Sequence, residues 1–322
     1  MNNFKKVGVT ALAGSLMAVT ANAGEMSVAG TAKIALEHIN GGAASSGKSW
    51  SMGNQLTFSG SGELDNGMNV SLSFVLDQGD DETDTATNAP NSPFDSHSVS
   101  VGMDGLGTLT FAGEGGDSAV GAMDGSAAGG MWDNFQAAAD EPESGHSSND
   151  MLSYALPTIF DDLALAASYT PNGDGGANSS TSFSATYTGV EGLTIAYGQG
   201  EDNKTTATAD ATAWKVSYAY GPFTATATDL EYDHETATSS RDMSSMQVAY
   251  TLSDEISITY GEEEITDGAA SSEKAEFSGF GVTYTAGGMT VGAYAQEAEN
   301  ISYSTTATED QEIWAVNATF AF

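Results

Sequence analysis

From Met26 to the last residue, apolar and polar side chains alternate in short segments separated by clusters of turn residues. A period of two turns one side of an extended strand toward something apolar and the other toward water. The clearest case is a pair. Leu56, Phe58, Gly60, Gly62 and Leu64 alternate with Gln55, Thr57, Ser59, Ser61 and Glu63, and Asp65-Asn66-Gly67 follows. Met68, Val70, Leu72, Phe74 and Leu76 then return. Asn-Gly between two such runs predicts a hairpin. The same alternation predicts strands at Val99/Val101/Met103, Leu109/Phe111, Leu163/Leu165/Ala167/Tyr169, Phe183/Ala185/Tyr187, Leu193/Ile195/Tyr197 and Trp214/Val216/Tyr218/Tyr220. It continues through Leu230/Tyr232, Met246/Val248/Tyr250/Leu252, Ile256/Ile258/Tyr260, Phe280/Val282/Tyr284, Met289/Val291 and Trp314/Val316/Ala318/Phe320/Phe322. No helical periodicity interrupts the series, so the chain is expected to be all-β.

The connections alternate in length. Short ones fall at 65–67, 104–107, 157–162, 189–192, 221–222, 253–255 and 286–288. Long polar ones fall near 38–49, 78–96, 115–149, 171–180, 200–211, 233–243, 266–274 and 298–310. Seven short and eight long connections join sixteen strands, with both chain ends at the short-turn rim. One smooth rim and one loopy rim predict an up-and-down antiparallel β-barrel. The apolar face carries almost no charge. The other is rich in Ser, Thr, Asn, Gln and Gly, with Lys33, Glu63, Asp77, Glu114 and Lys215. A barrel of about sixteen strands is too wide to be filled by its side chains, so its interior is wet and its apolar face is left for lipid. Tyr169, Tyr187, Tyr197, Tyr220, Tyr232, Tyr260 and Tyr284 end apolar stripes, as interfacial rings do.

Residues 1–23 stand apart. Lys5 and Lys6 precede the apolar run Val7 to Val19, and Ala21-Asn22-Ala23 is a small-x-small site. This predicts a signal peptide cleaved after Ala23, with 24–322 as a single barrel domain. The apolar run is too short for a spanning helix, which needs about 20 residues. The chain holds 44 Asp and Glu against 8 Lys and Arg, a balance that repels nucleic acid. Such acidity also suits a saline habitat. Cysteine is absent, consistent with a closed hydrogen-bonded sheet that needs no disulfides.

The longest connection, 115–149, exceeds the ~12–15 residues of an ordinary loop. It carries apolar anchors (Met123, Met131, Trp132 and Phe135) and the acids Asp117, Asp124, Asp133, Asp140, Glu141 and Glu143. Anchors that seek burial predict that this third loop folds into the barrel, so that its acids line a constriction. Asp77, Asp80, Asp81, Glu82 and Asp84 cluster beside a strand end and are the candidate oxygen ligands for a structural Ca²⁺ ion. Their spacing is not that of a calcium hand, and solvated acid is the alternative. His38, His97, His146 and His234 are scattered, with no zinc spacing and no thiol nucleophile, so no enzyme is expected.

The stretches Glu25-Met26-Ser27-Val28-Ala29-Gly30-Thr31-Ala32, Leu64-Asp65-Asn66-Gly67-Met68, Gly105-Leu106-Gly107-Thr108-Leu109-Thr110-Phe111-Ala112-Gly113 and Ala318-Thr319-Phe320-Ala321-Phe322 occur in this order. In that order they resemble a Gram-negative general porin of the alphaproteobacterial, Rhodobacter-type family. The resemblance implies a sixteen-stranded trimeric barrel in the outer membrane, with its third loop in the pore. It also implies that the terminal Phe322 is read by the assembly machinery and that subunit contacts lie near the first strands, where the small residues Gly30, Ala32, Gly60, Gly62 and Gly113 of the early strands would allow close approach. Such porins commonly set an Arg/Lys cluster against the loop acids. Here six basic residues remain after residue 23: Lys33, Lys48, Lys204, Lys215, Arg241 and Lys274. The expected function is passive diffusion of small hydrophilic solutes and ions, with a preference for cations. A substrate-selective porin with a weak binding site and a non-conducting surface barrel are the alternatives. The expected partners are lipid, lipopolysaccharide and two further copies of the chain.

Overall fold

The computed structural model describes residues 24–42, 47–77, 95–123, 125–135, 149–158, 162–171, 179–203, 208–269, 273–304 and 310–322. The expected signal segment 1–23 lies outside them. Sixteen strands close in sequence order, each antiparallel to its neighbours, with β16 returning to β1. They are β1 Met26–Gly41, β2 Gly47–Glu63, β3 Asn69–Asp77, β4 Ser96–Met103, β5 Gly107–Glu114, β6 Met151–Ala155, β7 Leu163–Thr170 and β8 Ser180–Val190. The second half comprises β9 Leu193–Asp202, β10 Ala209–Tyr220, β11 Phe223–His234, β12 Arg241–Thr251, β13 Ile256–Asp267, β14 Ala275–Ala286, β15 Met289–Glu299 and β16 Gln311–Ala321. Among the described residues no helix is long and apolar enough to cross a membrane.

The β2–β3 hairpin forms as its sequence predicts. Leu56 pairs with Leu76, Phe58 with Phe74 and Gly60 with Leu72. The turn is closed by the Gly67 N–H donating to Leu64 O, and Gly67 takes a φ of 82° that a side chain would strain. The stacked rings of Phe58 and Phe74, 4.8 Å apart, fix the register on the outer face. At the seam, Gly30 and Phe322 exchange both backbone hydrogen bonds, at 2.8 and 3.0 Å. The terminal ring lies where a Cβ on Gly30 would sit. Gly30 is therefore a seat for the chain's own C-terminus, and the space beside Gly113 is likewise taken by the His97 ring. Beside Gly60 the face is open.

Large apolar side chains stand exposed around the outside: Leu72, Val216, Val248, Val282 and Val316 are each between 42% and 46% accessible. So continuous an apolar surface needs an apolar partner. Over β9–β16 it stops at a row of rings, Tyr197, Trp214, Tyr260, Phe280 and Trp314. Tyr197 packs on Trp214 at 4.4 Å and Tyr260 on Phe280 at 4.6 Å.

Above that row the pattern inverts, which corrects two expectations. The outer face is not free of charge: Asp229, Glu262, Glu264, Glu276, Glu297 and Glu312 share the register of Trp214, Tyr260 and Trp314. The inner face is apolar there: Ala211, Ala213, Leu230, Tyr232, Met243, Ile265, Phe277 and Ile313 form one buried cluster. Tyr232 thus belongs to this interior rather than to the girdle. Its parity with Thr228, which faces Lys215, sets it inside. Alternation alone gives two faces and does not say which is which once acids stand opposite aliphatics.

Candidate functional site: the long loop and the lumen wall

The inner apolar cluster exists because the third loop lies on it. Val120, Met123, Met131 and Phe135 are all buried in the same cluster. Two glycines make room: a Cβ on Gly198 would come within 3.1 Å of Val120 Cα, and one on Gly200 within 3.1 Å of Val120 Cγ1. Phe135 ends the contact against Phe277, with centroids 5.7 Å apart.

Polar side chains of successive strands then take up the loop's backbone N–H groups. The Ala119 N–H donates to Ser168 Oγ on β7 at 3.0 Å and that of Val120 to Ser182 Oγ on β8 at 3.3 Å; the two hydroxyls are 2.6 Å apart. The Ala127 N–H donates to both Thr228 Oγ1 on β11 and Ser245 Oγ on β12, at 3.0 and 2.8 Å. Glu263 on β13, only 2% exposed, accepts from the Trp132 N–H at 3.3 Å and from Ser126 Oγ. The backbone of Gly130 and Met131 lies beside the same carboxylate. Gly130, at a φ of 66°, swings the chain into the short 3-10 turn Met131–Asn134 that aims the Trp132 N–H. Farther on, Asn134 Nδ2 donates to Gln296 Oε1 on β15 at 3.0 Å, and Tyr294 OH donates to Asn134 Oδ1.

An inward-facing carboxylate that would be costly to bury alone thus has a donor on each of its oxygens. Loop 115–135 runs along the inner wall from β7 to β15 and narrows the barrel from one side. The inward fold expected of the third loop holds for this part.

Asp117 and Asp133 lie on this stretch and are exposed. Asp124, Asp140, Glu141 and Glu143 lie outside the described residues, as do Asp80, Asp81, Glu82 and Asp84. Among the described residues, which include Asp77, no three acidic or histidine side chains come together as metal ligands. Lys33 shares the inner register of Thr31 and Ala35, and Glu63 and Asp77 share that of Ser59 and Ser73. Lys215 faces Ala196 and Thr228 on the loop-covered side. A bulge between His97 and Ser98 brings Glu114 opposite His97, 3.8 Å from its Nδ1, at the start of the loop. The three ion pairs among the described residues use His97, Arg241 and Lys274, so neither Lys33 nor Lys215 takes part in one. Arg241 clasps the loop-side rim: it pairs with Asp267 at 2.9 Å and lies over the Tyr303 ring at 5.4 Å. Lys274, between β13 and β14, donates to Glu264, which holds its ammonium above the usual lysine range.

The loop latches were not singled out in the sequence. Ser168, Ser182, Thr228 and Ser245 read as ordinary water-facing hydroxyls, and Glu263 as one acid of the run Glu262-Glu263-Glu264. The one signal that could have marked them is the inward stripe Ala209, Ala211, Ala213, too small and apolar to face water without a cover.

A closed barrel with lipid-type side chains outside, a hydroxyl-bearing wall inside and a loop pinned across part of the lumen is a transmembrane β-barrel channel. The family model for Gram-negative porins matches residues 8–322, and the chain belongs to that family. Its members are channels of the outer membrane, not enzymes. No curated protein matches the chain in sequence. Solved structures share the fold at low identity. A loop-deletion mutant of OmpT, an outer membrane protein of Vibrio cholerae, has a TM-score of 0.68 at 14% identity, covering 93% of this chain and 100% of that one. The anion-selective porin from Comamonas acidovorans gives the same TM-score, identity and coverages. A mutant of the Rh. blastica porin has a TM-score of 0.67 at 14% identity, covering 92% and 100%.

Proposed function

We propose that the barrel is an open, cation-preferring diffusion channel for small hydrophilic solutes. On this reading it works as a trimer and is exported with cleavage after Ala23. The observation that carries the proposal is the division of the lumen. Among the described residues the loop's hydrogen bonds to the wall run to β7, β8, β11, β12, β13 and β15 and none to β1–β5, which we take as the wall of the water path. Along β1–β5 the one inward-facing basic side chain is Lys33, against Glu37, Glu63 and Asp77 and the exposed Asp117 and Asp133 of the loop. Carboxylates that outnumber ammonium groups in a narrow path raise the local cation concentration. The Comamonas porin is named as anion-selective, so on this reading the two chains would differ in their lumen side chains while sharing the fold.

The test is a reversal potential across a planar bilayer with a tenfold KCl gradient. The native channel is expected to favour K⁺, Lys33→Glu to increase the permeability ratio roughly twofold, and Asp117→Asn with Asp133→Asn to reduce it by a similar factor. A native channel favouring Cl⁻ would overturn the proposal. The trimer is checked separately, by mass in detergent.

A further inference from the structure

The inward-facing hydroxyls of this barrel have two fates. On β7, β8, β11 and β12 they bind the loop. On β2, β3 and β4, Ser59, Ser61, Ser71, Ser73 and Ser98 have no hydroxyl partner among the described residues. All five face the lumen in one register, Ser59 opposite Ser73, Ser73 opposite Ser98 and Ser61 opposite Ser71. Ser100, opposite Ser71, is the exception, bonded to Thr110 Oγ1 at 2.7 Å. These five hydroxyls line a depression of about 460 Å³ together with Ser27, Ser100 and Glu25, on a wall that the described part of the loop does not touch. No side chain there offers an aromatic platform or a positive charge.

We infer that this serine ladder is a weak binding site for neutral polyhydroxylated solutes, such as short oligosaccharides, within the diffusion path. A hydroxyl donates or accepts by rotating, so a rigid grid of them matches another array of hydroxyls without a fixed polarity. Neighbours are spaced about 4.8 Å across strands and about 6.6 Å along them, a pitch comparable with the hydroxyl span of one sugar ring. Each exchange of water for a solute hydroxyl contributes little, and several together give retention that still allows release, as conduction requires. An anion gains less there, because the serines supply no charge against its desolvation and Glu25 repels it.

The inference rests on the barrel being an open channel, and the experiment separates the two. Single-channel KCl current is recorded with increasing raffinose, or with polyethylene glycol of equal hydrodynamic size, which has ether oxygens and almost no hydroxyl donors. The native protein is expected to show saturable current reduction by raffinose and only the unsaturating viscosity effect of the glycol. Ser59→Ala/Ser73→Ala/Ser98→Ala should raise the raffinose half-saturation concentration about fivefold or more. Its KCl conductance should stay within about a fifth of native, since the wall keeps its shape. Ser73→Ala alone, with folding checked by heat-modifiable gel mobility, should give a smaller shift in the same direction. Equal reduction by sugar and glycol, or an unchanged half-saturation in both variants, overturns the site. Absence of KCl current in the folded native protein overturns the channel reading instead.

Discussion

Glu263 shows how one residue decides where a loop lies. It receives the Trp132 N–H and the Ser126 hydroxyl beside the backbone of Gly130 and Met131, and among the described residues it is the one buried acid, set against an otherwise apolar inner cluster. Glu263→Ala leaves those donors buried without an acceptor, at a cost of about 1–3 kcal/mol to loop anchoring. Single-channel recordings of this variant are expected to show larger mean conductance with rapid flicker. Glu263→Gln keeps one acceptor oxygen and should stay near native. If both variants conduct as quietly as the native channel, Glu263 is not a latch. In the sequence it is indistinguishable from Glu262 and Glu264, which point outward. Only the register of β13, set by Tyr260 facing Phe280, tells the three apart.

At the scale of elements, loop 115–135 and the upper wall of β9–β16 form one packing unit. Deleting 120–134 should widen the pore and raise conductance severalfold. It should also uncover Leu230, Met243, Ile265 and Phe277, so the barrel is expected to bind a hydrophobic dye and to unfold at lower temperature. A deletion that widens the pore with no change in thermal mobility shift would mean the loop rests on the wall without packing. The strands themselves were legible from alternation, because a lipid-facing band of aliphatics and terminal rings leaves a strong period of two. Strand ends were less so: β1 and β2 extend to Gly41 and from Gly47, through residues that read as a polar loop. Ladder pairing there, such as His38 with Lys48, overrides the turn-like composition. The loop's anchors were legible as apolar residues in a polar stretch. Its partners were not, since a serine facing water and a serine facing an N–H carry the same letter.

Across the whole molecule, the outer acidic tier sets like charges side by side. Glu276 has Glu264 on one side and Glu299 on the other, and Glu297 faces Glu312. Directly opposed like charges destabilise a sheet, and salt screens them with a Debye length near 10 Å at 0.1 M. Lys274 bonds Glu264 and lies near enough to Glu276 to feel its charge, so it relieves one corner of the tier, and its raised pKa means that this relief persists through neutral pH and fades only in strong alkali. The folded barrel is therefore expected to melt several degrees higher in 1 M NaCl than in 10 mM, with most of the gain below about 0.3 M. A melting temperature independent of salt would show that the tier is neutralised in another way.

The inversion above the ring row has one more effect. On β1 the outward apolar residues run from Val28 to Leu36, while on β13 they run only from Ile256 to Tyr260. At about 3.3 Å per residue and a tilt near 45°, these span roughly 19 Å and 9 Å. Acyl chains that meet such unequal heights must thin on one flank, at fractions of a kcal/mol per ångström of mismatch. The protein should therefore act on the bilayer as an elastic wedge, leaning toward its short flank and gathering the shortest lipids there.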